Sequence, residues 1–333
     1  MATFLADGED KVVQPEGLKT IETVSSIDGF RQSAYWWEPS DPKPIPLLVH
    51  LHTWSYGYEM SDPRSPKGAM ANGWAVICPN CRGPNNTPDA CASEKAIQDV
   101  LDAVGEAKKR HAIDEERIYL IGASGGGHLA LMMAALKPSL WAAVSLWCPV
   151  ADIARWHGEG LVRGNGYPAM LEAVCGGTPA ERPDEYRRRT PLSFLGAARE
   201  AALPIDIAAG IHDGHAGAVP VGHAIRTFNA LADAADAISE ADIAEIERTE
   251  AVPAHLAAGA TEESWYGERH GRIYLRRQSA ATRLTLFEGA HDCCTPAALA
   301  WLGEQRRGSR AVWEMPPHLV VSTVSNENSA ITK

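Results

Sequence analysis

The chain has 333 residues, 45% of them apolar and 22% charged, enough to bury a sizeable core as one large domain or two ordinary ones. Its 31 basic and 42 acidic side chains leave a net charge of −11, spread along the chain rather than gathered in a tail, which argues against nucleic acid or an anionic membrane as a partner. Seven cysteines, an odd number in a long chain, do not read as a disulfide framework. Cys78 and Cys81 form a CxxC with no second pair at zinc-finger spacing, so they are read as buried or loop thiols. A Cys81–Cys91 bridge stays open should the protein be exported. The opening MATFLADGEDKVV lacks the basic segment and apolar run of a signal peptide. The longest apolar stretch, HLALMMAALKPSLWAAVSLWCPV, is broken by Lys137 and Pro138 and is too short on either side to span a bilayer. The expected location is cytoplasmic as given, or outside the cytoplasm if a leader has been removed.

In chain order, KTIETVSS and RQSAYWWEP, joined by the turn IDGF, predict a hairpin at a sheet edge. IPLLVHLHTWS and WAVICPN are near-continuous apolar runs, as expected of strands covered on both faces. After the loop PNCRGPNNTPDACAS, a helix is predicted from Glu94 to Arg110, with Ile97, Val100, Leu101 and Val104 on its apolar face and Lys108, Lys109 and Arg110 at its end. There follow a strand RIYLIGA, a helix GGGHLALMMAAL, strands WAAVSLWCPV and LPIDIAAGI, a helix AIRTFNALADAA and a strand RLTLFEG. Strands alternating with helices imply a mainly parallel sheet with helices on both faces and ligands at the strands' carboxyl ends. Two stretches, 152–200 and 234–275, break the alternation and are read as insertions over one edge that form a cap. Residues 1–333 are taken as a single domain, and the polar tail, 314–333, as flexible.

Gly122-Ala123-Ser124-Gly125-Gly126 satisfies G-x-S-x-G, a weak pattern alone. Here a strand enters it and a helix leaves it, the setting a nucleophile elbow requires. Such a turn strains the serine backbone and needs small residues two before and two after it. Serine also needs a base, and the base an orienting acid. In this fold the order is serine, acid, histidine, each after a later strand. Asp213, after LPIDIAAGI, is the candidate acid, with Asp206 inside that strand as the weaker one; His291, after RLTLFEG, is the candidate base. The candidate oxyanion-hole donors are the backbone N–H of Gly125 and that of Trp54, with Thr53 second to Trp54. His212, Asp213, His215 and His223 suggest a metal, but they lie in a turn the acid already accounts for, so no metal or cofactor is expected. Gly125-Gly126-Gly127 has neither the length nor the lysine of a phosphate-binding loop, and Cys293 and Cys294 are merely near the base. Tyr56, Trp156 and Trp265, with Tyr58 and Tyr266, fall on strand-end loops or insertions and are candidate substrate contacts, packing being the alternative.

These residues resemble the α/β-hydrolase superfamily and, within it, the catalytic domain of the prolyl oligopeptidase family. The similar pieces are SSIDGFRQSAYWWEP, LLVHLHTW at the oxyanion loop, PNCRG, GASGGG at the elbow, DGHAGAVP at the acid loop and EGAH at the histidine loop, together spanning about residues 20–305. The resemblance implies Ser124 as nucleophile, His291 as base and Asp213 as its partner. The family's peptidases carry a β-propeller before this domain, for which the short stretch ahead of the first strands leaves no room. Stand-alone members of similar architecture are often esterases, some acting on acyl groups of plant polysaccharides. The expectation is therefore a serine carboxylic-ester hydrolase whose partner is a small-molecule or oligosaccharide ester. A serine peptidase acting on short peptides is the alternative, and a non-catalytic binding protein on the same fold the second. Oligomeric state is open.

Overall fold

The computed structural model describes residues 12–257 and 261–316. The signal-peptide reading of the opening residues falls largely outside this range, as does the tail reading from residue 317 onward.

The predicted hairpin is β1 (Lys19–Val24) and β2 (Arg31–Trp37), paired antiparallel from Lys19 opposite Trp36 to Val24 opposite Arg31. Its SSIDGF turn is tied down by Arg82 of the PNCRG loop, whose guanidinium bonds Asp28, Ser25 and the buried Asp99 and lies 4.7 Å over the Phe30 ring. That arginine therefore joins the sheet edge to the following helix. The two apolar runs are β3 (Ile45–Leu51) and β4 (Ala75–Pro79), buried at every position, with a short helix, α1 (Arg64–Ala71), between them that the sequence analysis does not assign. Helix α2 spans Glu94–Arg110, as read; Ser93 caps it by accepting the Ala96 N–H, and its last turn is basic, which complements the helix dipole.

Strand β5 (Ile113–Ala123) begins earlier than RIYLIGA, and α3 (Gly125–Leu136) follows after Ser124 alone. Every α3 residue from Gly125 to Ala135 is buried, because the helix lies between the sheet and later helices. After β6 (Ala143–Trp147) the first irregular stretch folds into α4 (Ile153–Arg163), α5 (Tyr167–Cys175), α6 (Pro183–Arg188) and α7 (Gly196–Glu200) before returning as β7 (Ile205–Gly210). Helix α8 (Gly222–Leu231) is two residues earlier at its start than AIRTFNALADAA suggests and stops before Ala232.

The second stretch does not stay off the sheet. Helix α9 (Glu240–Thr249) packs on α8 through Ile243 and Ile246, but Thr261–Glu262 (β8) and Arg272–Ser279 (β9) extend the sheet, with a short helix, α10 (Gly267–His270), between them. Strand β9 escaped the sequence reading because RIYLRRQS places arginines on its outward positions, which weakens the apolar run that marks a buried strand. It pairs antiparallel with β10 (Thr282–Phe287), which α11 (Thr295–Gly303) follows.

Across the sheet the order is β1-β2-β4-β3-β5-β6-β7-β10-β9-β8; the strands from β4 to β10 in that order run parallel, and those at the two edges antiparallel. One core layer packs α2, α3, α7, α8 and α9 on one face. A second, with α1, α11, Trp147, Phe287 and Trp301, covers the other. Among the described residues, no helix is long and apolar enough to cross a membrane.

Asp206, the weaker acid candidate, is inside β7 and holds Arg283 of β10 by two hydrogen bonds of 2.8 and 2.9 Å, both side chains buried. Arg283 also donates to the Trp313 carbonyl and lies 5.2 Å from the Trp313 ring. Removing one partner strands a buried charge, so Asp206→Ala is expected to lower unfolding free energy by about 3–5 kcal/mol. The urea midpoint measures this, and a double variant that also replaces Arg283 with methionine should recover part of the loss.

Candidate active site

Ser124 is the single residue between β5 and α3, with φ 57° and ψ −120°. A non-glycine residue there is strained, and the neighbours show what imposes it. A methyl group on Gly122 would lie 2.2 Å from the Gly126 carbonyl oxygen, and one on Gly126 would lie 2.2 Å from that of Leu51. The chain can turn this sharply only where those side chains are missing. At Gly127, to which the sequence assigns no role, an added methyl group would lie 3.0 Å from Pro149, just after β6, so it too permits close packing. The Ser124 N–H donates to the Trp147 carbonyl (2.9 Å), which fixes the elbow to the end of β6.

The candidate acid and base meet across the ends of β7 and β10. His291 Nδ1 donates to Asp213 Oδ2 at 2.8 Å, while the Val219 N–H donates to Asp213 Oδ1 at 3.2 Å. The acid is thus held by an amide as well as by the histidine. Backbone bonds from Ile211 N–H to Phe287 O (2.9 Å) and from His212 N–H to Gly289 O (3.0 Å) tie the two loops together. Burial pushes the His291 imidazole down, but the charge and hydrogen bond of Asp213 outweigh it, so His291 titrates above its ordinary value. Next to it, Asp292 is held down to about 2, chiefly by His270 and also by the Ala290 N–H, so it stays ionised on the same loop.

The Trp54 backbone abuts the first residue of α3, since a methyl on Gly125 would lie 2.6 Å from both the N and the Cα of Trp54. Gly125 opens the helix, where N–H groups lack intrahelical acceptors. The two candidate oxyanion donors are therefore side by side next to Ser124. Their loop is held by His52 Nε2, which donates to the Asn80 carbonyl (2.8 Å), and by the Asn85 N–H on the Trp54 carbonyl (2.8 Å).

Of the aromatic candidates, Trp156 is only 1% exposed: its ring meets that of Trp54 edge-on at 4.8 Å and its Nε1 donates to the Ala218 carbonyl (3.0 Å). It braces the oxyanion loop and the acid loop instead of offering a face to a ligand, because α4 folds inward over the strand ends. Trp265 packs on the opposite core layer, with Tyr266 and Phe287. Tyr167, which the sequence reading passed over, is half-buried against Trp156 at 4.4 Å and is close enough to Tyr56 and Asp213 for their charges to raise its pKa further after burial has done so.

The three histidines around Asp213 do not share one centre: His212 and His215 meet at Glu250, while His223 turns to a different carboxylate. His212 faces Glu250 (2.7 Å) and Glu288 (3.1 Å), His215 faces Glu250 (3.6 Å), and His223 accepts the Ala151 N–H at 3.1 Å and faces Glu159 at 3.0 Å. All seven cysteines are free and buried, so no Cys81–Cys91 bridge is formed. Burial raises the thiols, to about 12 for Cys293, which suits buried packing groups and not nucleophiles. Among the described residues, the group of three side chains of metal-ligating type whose ligand atoms all lie within 4.8 Å of one another is Cys148, Asp213 and His291. Cys148 was missed from the sequence because nothing in WAAVSLWCPV distinguishes it from a core residue.

The family model for the prolyl oligopeptidase family matches residues 68–247, which include Ser124 and Asp213 but stop short of His291. The uncharacterized peptidase YtmA of Bacillus subtilis (strain 168) is 24% identical over 181 residues, covering 54% of this chain and 68% of that protein. Among solved structures, Pyrococcus horikoshii acylaminoacyl peptidase superposes with a TM-score of 0.60 at 13% identity, over 89% of this chain and 43% of that one. A puromycin-hydrolyzing peptidase of Mycobacterium tuberculosis does so at 0.57 and 14% identity, over 87% and 40%. These likenesses are of fold, and this chain spans less than half the length of either structure.

Proposed function

The chain belongs to the prolyl oligopeptidase family, and from that premise we propose that it is a serine hydrolase working through an acyl-enzyme on Ser124. The observation that carries this reading is the strained Ser124 at the head of α3 together with the 2.8 Å His291–Asp213 bond at neighbouring strand ends. Asp213 holds the proton on Nδ1, which leaves Nε2 to take the Ser124 proton as Oγ attacks the carbonyl carbon. The same nitrogen then returns that proton to the leaving group, and water repeats the sequence to release the acid. The N–H groups of Gly125 and Trp54 receive the oxyanion, aided by the amino end of α3.

The scissile bond is proposed to be an amide of a short peptide or aminoacyl compound, since the relatives are named peptidases. An ester-only, carbohydrate-directed enzyme finds less support, because two of the aromatic residues that could have lined a sugar cleft do not: Trp156 is buried and Trp265 packs on the other layer. The test is a panel of aminoacyl and dipeptidyl p-nitroanilides, p-nitrophenyl esters and acetylated or feruloylated xylan fragments. We expect anilides to be cleaved at rates comparable with simple esters and the xylan esters to be spared. Cleavage of esters alone would restore the esterase reading, and failure of a fluorophosphonate probe to label the protein would leave only a binding role on this fold.

A further inference from the structure

Cys148 follows β6 directly, with φ 45°, a conformation that a side-chain-bearing residue adopts only when its surroundings impose it. What imposes it is visible on both sides. Its N–H donates to the Ala208 carbonyl of β7 (2.8 Å), which carries the acid, and its Sγ lies 3.5 Å from the Asp292 carbonyl and 3.7 Å from that of Ala290. Those two carbonyls flank His291. The same Sγ lies within 4.8 Å of the ligating atoms of both Asp213 and His291, and the residue is 3% exposed. Burial and the Asp213 charge hold its thiol well above the ordinary range, so it stays protonated and able to donate, and it is unsuited to being a nucleophile. It also sits one residue after Trp147, whose carbonyl anchors Ser124, so one turn of chain touches the nucleophile's strand, the acid's strand and the base's loop.

We propose that Cys148 is a positioning residue for the base: its Sγ–H, shared between the Ala290 and Asp292 carbonyls, fixes the loop that carries His291 and so sets the angle at which Nδ1 meets Asp213. This rests on reading Ser124, Asp213 and His291 as the catalytic set, but its test does not depend on activity alone. In Cys148→Ala the loop loses its donor and the imidazole–carboxylate bond loosens. The raised titration of His291 then relaxes downward, and the acid limb of the pH profile of kcat/KM moves to lower pH by about half a unit or more. We expect kcat to fall about tenfold, the effect of one lost hydrogen bond in the transition state, with KM within twofold. Cys148→Ser, which keeps a donor, should restore most of both. The same His291 titration, followed by NMR of the imidazole in a Ser124→Ala background, reads the effect without turnover.

If the space left by Cys148→Ala prevents folding, Cys148→Gly removes the donor while relieving the backbone strain, and the same measurements apply. A folded alanine or glycine variant whose His291 titrates as in the parent and whose kcat is within twofold of it overturns the proposal. A serine variant as impaired as alanine does so too. Activity surviving in Ser124→Ala would instead sink the hydrolase reading and leave the titration result standing.

Discussion

Ser124→Ala is expected to abolish hydrolysis of p-nitrophenyl acetate, with kcat falling by roughly 10⁴- to 10⁶-fold while the fold is kept. The size follows from the role proposed for the hydroxyl: it would form the covalent intermediate, and without it only transition-state binding by the proposed oxyanion donors would remain. The fold should survive because Ser124 holds its place by its backbone, the N–H on the Trp147 carbonyl, and because its neighbours, not its side chain, impose the 57° φ. Alanine tolerates that φ no better and no worse than serine. Circular dichroism and the thermal midpoint check the fold, and a fluorophosphonate probe should lose its label in step with activity. Appreciable turnover by a well-folded alanine variant would remove Ser124 from the mechanism.

Asp213→Asn is expected to lower kcat by about 10⁴-fold. An amide in place of the carboxylate can donate to Nδ1 and so favour the wrong tautomer, with the proton on Nε2, where it cannot accept from Ser124. It also takes away the charge that lifts His291. In the parent, burial lowers the imidazole and Asp213 raises it further, so the net value is above about 6.5. The base must be neutral to act, so activity rises as pH climbs through that value. With that charge gone, burial is opposed only by the Asp292 carboxylate, and the acid limb of the residual activity should shift to lower pH than in the parent. The pH profile of kcat/KM in the two proteins decides it: a limb that stays in place would mean that another group orients His291. Asp206 is not that group, since both its oxygens are occupied by Arg283.

Much of this was legible in advance because it rests on local signals. The apolar runs of β3 and β4 and the amphipathic face of α2 report burial that any packing of these segments would demand. The glycines around Ser124 are a second such signal: the turn leaves no room for side chains, whatever lies beyond it. That the candidates Asp213 and His291 could meet was legible for a different reason, because strand order fixes which loops reach the carboxyl edge. What failed was local in appearance but not in cause. The charged residues of β9 hid a strand that exists only because β10 offers it an edge, and the aromatic positions in the insertions could not be sorted into lining and packing from the sequence.

The sequence by itself determined the α/β alternation and the glycine-flanked turn at Ser124, which depend on residues near one another along the chain, and singled out Asp213 and His291 as candidates from the order of the strands. Only the tertiary structure decided that Asp206 belongs to Arg283, that Trp156 is a brace within the core and that Cys148 stands beside Asp213 and His291. Those facts are contacts between segments far apart in the chain: parallel pairing of β7 with β10 sets Asp206 against Arg283 near the strands' amino ends, and the loops at the carboxyl ends bring the other residues together. A tryptophan or a cysteine carries the same local signal whether it lines a cleft or fills a core. The difference is made by what the rest of the chain packs against it.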